Sequence, residues 1–207
     1  MSENNNLNIP EKRGLLIHLG KKNKPDLVDN FAQLLEEEKI EYYLLENNFD
    51  SKISQLIKLI NSNNRINPNL YLESKIDENI LFFTGFSRED VEKFLKTLRS
   101  PKYPRFVLKA VATKTNLDFT FSHLLKELRQ DRIIISYVVN LRKGINILEK
   151  KSKQINDTFL KEKIEKEIIS IENLLSDFDV KFQLELFEKK LSEIKNLIAN
   201  IDKKLLD

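Results

Sequence analysis

One segment of the chain occurs twice, and this repeat limits the fold more than any other feature of the sequence. Residues 14–45 and 79–112 each read as an apolar strand that ends in glycine, an amphipathic helix and a second strand. Gly20 in the first copy corresponds to Gly85 in the second. Because a strand, a helix and a parallel strand form a right-handed βαβ unit, the repeat predicts two such units side by side.

We therefore predict an α/β domain over residues 14–130, with a small four-stranded parallel sheet and helices on both faces. The most economical strand order is 2-1-3-4, which places the two glycine-ended strands in the centre. Residues 1–13 are polar and are predicted to form a flexible tail. The predicted strands are residues 15–19, 40–45, 80–84 and 106–112.

The pattern changes near residue 131, where apolar residues begin to recur every three or four positions. This spacing predicts amphipathic helices, and turns are expected near residues 154–157 and 176–180. We predict that residues 131–207 form a C-terminal helical hairpin or bundle of coiled-coil type. The three apolar stripes cover residues 134–148, 160–175 and 187–205.

Composition excludes several functions. The 207 residues carry a net charge of +3, and acidic and basic residues are interspersed, which argues against a nucleic-acid partner. The absence of cysteine excludes disulfides and thiolate chemistry. The first residues lack the apolar core of a secretory signal, and no stretch approaches the roughly 18 apolar residues of a membrane helix. A cytoplasmic location without membrane attachment is therefore expected.

The glycines and histidines lack the spacing of known cofactor sites. The glycines are too few and too far apart for a dinucleotide-binding or P-loop motif. His18 lies inside an apolar strand, which is typical of a core histidine, and His123 lies on a charged helix face. Two histidines in these places do not form a zinc site. We predict no metal, no cofactor and no catalytic residues.

The strand ends offer one candidate site. In open α/β sheets ligands bind beyond the carboxyl ends of the strands, where the winding reverses. For a parallel 2-1-3-4 sheet this crevice lies between strands one and three. Helix N-termini and the cationic residues there favour an anion, and these residues are Lys21, Lys22, Lys24 and Arg88. The alternative is purely structural, because glycines end strands and serine or asparagine caps helices. The candidate anion site comprises Gly20, Lys24, Gly85, Ser87, Thr113 and Asn116.

Residues 80–131 resemble a bacterial domain family of unknown function, DUF3783. The resemblance rests on FFTGFSREDVEKFL, on the segment KAVATKTN at residues 109–116, and on Phe119 where the family usually has tryptophan. It implies that Lys109, Thr113 and Asn116 matter to the family, structurally or functionally. It implies no particular activity and does not cover the helical tail.

Two functions remain open. The first is a non-catalytic interaction module that binds a protein partner or self-associates through its C-terminal helices, as the apolar stripes indicate. The second is a sensor or enzyme that binds a small anion or nucleotide in the strand-end crevice. The sequence favours the first, because no catalytic constellation is recognisable in it.

Overall fold

A computed structural model describes residues 13–46, 48–61, 66, 76–176 and 184–206. The predicted N-terminal tail lies outside these residues, apart from Arg13. The chain divides into two compact units, Met1–Arg129 and Gln130–Asp207. We refer to them as the α/β unit and the helical unit.

Within its described residues, the α/β unit contains four strands and three complete helices. A fourth helix begins in this unit and continues without a break into the helical unit, whereas the sequence pattern predicts separate helices before and after residue 131. Along the α/β unit the elements are β1 (Gly14–His18), α1 (Pro25–Glu37), β2 (Tyr42–Leu44), α2 (Ile53–Ile57), β3 (Asn79–Thr84), α3 (Arg88–Thr97), β4 (Phe106–Val111), a 3-10 turn (Asn116–Asp118) and the start of α4 (Phe121–Ser152).

The strand order is β2-β1-β3-β4, as predicted, but the sheet is mixed. β1 is parallel to β2 and β3 is parallel to β4, whereas β1 and β3 are antiparallel, with Gly14 opposite Thr84 and His18 opposite Ile80. The prediction of an all-parallel sheet is therefore wrong. Each βαβ unit makes its own two strands parallel. The long connector 45–78, however, allows β3 to start beside either the beginning or the end of β1, so the two units can be parallel or antiparallel to each other.

The repeat survives as an approximate two-fold relation between the two βαβ units. The five pairs of the β1–β3 ladder centre on Leu16 opposite Phe82. A half-turn about this point brings the strand order and strand directions of one unit onto those of the other. The two copies of the repeat therefore run in opposite directions across the sheet.

Helices cover both faces of the sheet, as predicted. Because successive side chains of a strand point to opposite faces, Leu15 and Ile17 pack with α1 and α3. Leu16 and Phe82 pack on the other face with α2 and the first turns of α4. These side chains are fully buried, so the central strands have an apolar core on each side.

A register shift in β4 determines which face its polar residue occupies. Asn79 pairs with Phe106, but the next residue of β3, Ile80, pairs with Leu108. Val107 is therefore an extra residue in the ladder, as in a β-bulge. After it, Lys109 lies opposite Leu81, on the face covered by α1 and α3.

The helical unit consists of the rest of α4 together with α5 (Thr158–Ser176) and α6 (Leu184–Leu206). The predicted apolar stripes meet in one core, in which Leu141, Ile164 and Ile201 are completely buried. α4 and α6 run parallel, and α5 runs antiparallel to α6. The contacts that fix these directions are Tyr137–Glu188, Lys151–Asp202, Lys204–Asp157 and Lys190–Glu167.

Candidate functional site

The antiparallel pairing of β1 with β3 separates the residues of the predicted anion site. β1 ends at the edge of the sheet where β3 and β4 begin, so Gly20 and Lys24 lie there; we call this the Gly20 edge. β3 and β4 end at the opposite edge, which we call the Gly85 edge. The predicted residues therefore do not line one crevice. Those on the second edge are Gly85, Ser87, Thr113 and Asn116.

The buried side chain of Asn79 joins three segments at the Gly20 edge. Its Oδ1 accepts hydrogen bonds from the backbone N–H of Gly20 at 2.8 Å and from Nδ2 of Asn23 at 2.6 Å. Its own Nδ2 donates to the carbonyl oxygen of Arg105 at 3.1 Å. Because buried backbone donors need partners, this amide fixes the loop after β1 against the starts of β3 and β4.

Gly20 itself has a packing role. A Cβ atom at this position would lie 2.1 Å from the carbonyl oxygen of Asp77, so only glycine fits without a backbone shift. Asp77 also pairs with Lys21 at 3.4 Å and with Lys22 at 2.6 Å, and the hydrogen bond from Lys22 holds the pKa of the Asp77 carboxyl below its usual value. Two lysines that the sequence assigned to an anion thus have a carboxylate partner, whereas Lys24 occupies the N-cap of α1 and is exposed.

Turn geometry and helix capping account for the first residues of the Gly85 edge. Gly85 has a φ of 67°, in the left-handed region that favours glycine. The Oγ of Ser87 accepts a hydrogen bond from the backbone N–H of Asp90 at 3.1 Å, which caps α3. Arg88, one of the cations expected to attract the anion, pairs with Glu92 at 3.0 Å.

Thr113 and Asn116 close the turn after β4 through reciprocal bonds. The backbone N–H of Thr113 donates to Oδ1 of Asn116 at 2.8 Å, and the N–H of Asn116 donates to Oγ1 of Thr113 at 3.2 Å. Nδ2 of Asn116 also donates to the carbonyl oxygen of Val111 at 2.9 Å. Both side chains that the family resemblance singled out in this turn therefore bond the local backbone.

His18 is a core histidine, as its place in an apolar strand predicts. Its ring is 1% exposed, with Nδ1 3.0 Å from the carbonyl oxygen of Leu45 and Nε2 3.5 Å from that of Ile76. Phe49 packs against the ring in an edge-on arrangement. Burial lowers the pKa of His18 below its usual value, and the two carbonyls oppose this shift.

A pocket of about 570 Å³ opens on the α1/α3 face at the Gly20 edge. We call it the β4 pocket. Burial lowers the pKa of the Lys109 ammonium, and the nearby positive charge of Arg105 lowers it further. The residues that line the pocket are Leu27, Leu95, Leu98, Arg99, Ser100, Pro101, Tyr103, Arg105, Phe106 and Lys109.

Sequence reasoning missed most of these residues. Lys109 was named only through the family resemblance, and Arg99 and Arg105 were not named at all. The sequence pattern gives little indication of Arg99 and Arg105, because isolated arginines near a Ser-Pro turn look like ordinary solvent-exposed loop residues. Asn79 had a clearer signal, since it is a polar residue placed directly before an uninterrupted apolar strand.

Among the described residues, no group of histidine, cysteine or carboxylate side chains could hold a metal ion. No helix in the same part of the chain is both long enough and apolar enough to cross a membrane.

The geometry defines the first unit as a three-layer α/β/α domain with a mixed four-stranded sheet, and the second as a three-helix unit. Residues 79–134 match the family model of DUF3783, a domain of unknown function, which confirms the resemblance derived from the sequence. The match begins at Asn79 and includes Lys109, Thr113 and Asn116. No curated protein and no solved structure matches the chain.

Proposed function

We propose that the chain is a cytoplasmic, non-catalytic interaction module that self-associates through its helical unit. The supporting observation is the distribution of exposed apolar side chains. Of the ten large hydrophobic residues that are exposed in the described part of the chain, only Leu59 and Val111 belong to the α/β unit. The others are Ile133, Ile135, Val139, Ile147, Phe159, Ile169, Leu184 and Leu186.

The exposed residues concentrate near one end of the helical unit. Ile135 is 59% exposed and Val139, one turn later on α4, is 44% exposed. The hydrogen bond between Tyr137 and Glu188 sets α4 and α6 in parallel register, so Leu184 and Leu186 of α6 belong to the same end. Clusters of exposed apolar side chains commonly mark interaction surfaces.

A second copy of the chain is the partner that fits this surface. Basic and acidic residues nearly balance in residues 130–207 and alternate along the helices, so two copies would repel each other little. A two-fold contact places the same patch on both sides, so the exposed Ile135 and Val139 of each copy would cover those of the other. Because Ile135 and Val139 are only about half exposed, burying the rest of each side chain would stabilise such a dimer by roughly 1 kcal/mol per side chain.

The roles of the most reactive side chains support a non-catalytic protein. The hydroxyl of Ser87 caps α3, and the ring of His18 lies in the core beside the carbonyl oxygens of Leu45 and Ile76. The alternative function, a small-anion or nucleotide sensor or enzyme in the strand-end crevice, has less support because its residues lie on two opposite edges of the sheet.

Sedimentation or light scattering across a range of concentrations tests the self-association. We expect a dimer that dissociates on dilution, and the double variant Ile135→Glu, Val139→Glu should remain monomeric because it places charges in the contact. The matched control is Ser192→Glu, Asn196→Glu, which adds the same charges one turn apart at exposed positions of α6. A monomeric parent protein at high concentration, or a variant that dimerises like the control, would refute the proposal.

A further inference from the structure

The β4 pocket has the dimensions and position of a small-molecule site. Its volume of about 570 Å³ lies within the usual range for ligand pockets, which is roughly 300–1,000 Å³. The end of α3 and the segment that follows it form one wall, Leu27 of α1 contributes from the side, and the start of β4 forms the base. All the residues that line it belong to the α/β unit, and none belongs to the helical unit proposed above to self-associate.

The charged side chains that line the β4 pocket are all basic. Arg99, Arg105 and Lys109 line it, and no aspartate or glutamate among the described residues does. None of the three makes an ion pair with any residue that the structure describes, whereas Lys22 and Arg88 elsewhere in the α/β unit do. Like charges held together without a counter-charge repel each other, and a bound anion would relieve that repulsion.

Lys109 is oriented toward such an anion. The register shift in β4 places it on the pocket face, opposite Leu81. Its Nζ donates one hydrogen bond to the carbonyl oxygen of Phe106 at 2.8 Å, which fixes the ammonium and leaves two of its three donors for a ligand. The lowered pKa of Lys109 agrees with an ammonium that lacks a negative partner.

The rest of the lining is apolar. Tyr103 and Phe106 are buried, and Leu27, Leu95 and Leu98 are half-buried beside them. A hydrated inorganic anion alone would leave this surface uncovered. A ligand that fills the pocket needs an apolar body as well as a charge.

We propose that the β4 pocket binds a small amphipathic anion, in which a phosphate or carboxylate group is attached to an apolar body of one or two rings. Arg99, Arg105 and Lys109 bind the charged group, and the leucine and aromatic side chains contact the body. This is a binding role for Lys109, the third residue that the family resemblance singled out.

Nuclear magnetic resonance titration of the full chain with three matched probes tests this assignment. 1-Naphthyl phosphate carries both parts, inorganic phosphate carries only the anion, and 1-naphthol carries only the body. We expect 1-naphthyl phosphate to shift the amide signals of Arg99, Arg105 and Lys109 and to bind at least tenfold more tightly than either single-part probe. Equal affinity of inorganic phosphate, or shifts confined to other residues, would overturn the proposal.

Charge-removing variants identify the binding side chains. Arg105→Gln and Lys109→Gln should each weaken 1-naphthyl phosphate about tenfold, since each removes one charge-assisted hydrogen bond. The control Lys96→Gln removes an exposed charge of α3 outside the pocket and should leave the affinity unchanged. A melting temperature close to that of the parent shows that each variant is folded.

The Lys96→Gln control also shows how to interpret an equal loss of affinity for 1-naphthyl phosphate in all the charge-removing variants. If Lys96→Gln weakened binding as much as Lys109→Gln, the probe would be responding to the general charge of the surface, and the pocket assignment would be wrong. Binding should persist in the Ile135→Glu, Val139→Glu variant. The failure of self-association and the failure of ligand binding can therefore be told apart.

Discussion

Single polar groups in the core of the α/β unit have clearly different roles. Asn79 uses its amide in both directions and joins three segments of the Gly20 edge. Thr84, at the end of the same strand, is completely buried, and its Oγ1 has no hydrogen-bond partner within the described part of the chain. A buried hydroxyl without a partner costs free energy, because it has lost its water.

Thr84→Val should therefore stabilise the protein. Valine keeps the shape of threonine and removes the unpaired hydroxyl, so we expect the free energy of unfolding to rise by about 1 kcal/mol in chemical denaturation. Thr113→Val is the comparison, because its Oγ1 accepts a hydrogen bond from Asn116 and its loss should destabilise. A Thr84→Val variant less stable than the parent would mean that the hydroxyl has a partner after all.

His18 should make stability depend on pH. Because burial lowers its pKa in the folded state below the ordinary 6.5, the unfolded chain binds a proton more readily in the window just below pH 6.5. Above that window, the contribution of His18 to the free energy of unfolding should not change with pH. It should fall as the pH drops through the window, by at most about 1.4 kcal/mol per pH unit.

Denaturation of His18→Gln at several pH values checks this assignment. The slope between about pH 5.5 and 6.5 should become shallower in His18→Gln, even if the variant is less stable throughout. His123→Gln is the matched comparison, because it removes the other histidine of the chain at an exposed position. An unchanged slope in His18→Gln would assign the pH dependence to other groups.

At the scale of elements, the sequence was most informative where the determinants are local. Apolar spacing located the strands and most of the helices, and Ser87 was recognised as a cap because the capping pattern lies within four residues. The right-handed βαβ rule fixed the direction of β2 relative to β1 and of β4 relative to β3. The strand order followed from keeping the two apolar, glycine-ended strands in the centre.

The direction of β3 relative to β1 could not be predicted, since it depends on a long connector and not on either repeat. The arrangement of the candidate anion site could not be predicted for the same reason, because Gly20 and Gly85 lie close together only if β1 and β3 end at the same edge of the sheet. The β4 pocket depends on a one-residue register shift at Val107, which no local pattern reveals. Ser87 and Asn116 make the local backbone hydrogen bonds that the structural alternative expects of them.

At the scale of the whole molecule, the division into two compact units has a measurable consequence. Each unit has its own apolar core, so a defect in one should not open the other. Ile194 of α6 is 2% exposed in the core of the helical unit. Asn200, on the same helix, is exposed.

Ile194→Asp should open the helical unit alone. A buried, unpaired carboxylate costs several kcal/mol, so we expect fast hydrogen exchange in α5 and α6 and retained protection in β1 and β3. Asn200→Asp places the same charge on the exposed face of α6 and should leave the exchange pattern unchanged. Loss of protection in β1 and β3 as well would show that the two units unfold as one.

The family match covers only one of the two βαβ units that the approximate two-fold relates. Residues 79–134 include β3, α3, β4 and the beginning of α4, but not β1 or α1. Cut to that length, the domain would expose the hydrogen-bonding edge of β3 and the apolar side chains that α1 covers. In this chain the first half of the same polypeptide pairs with that edge and covers those side chains.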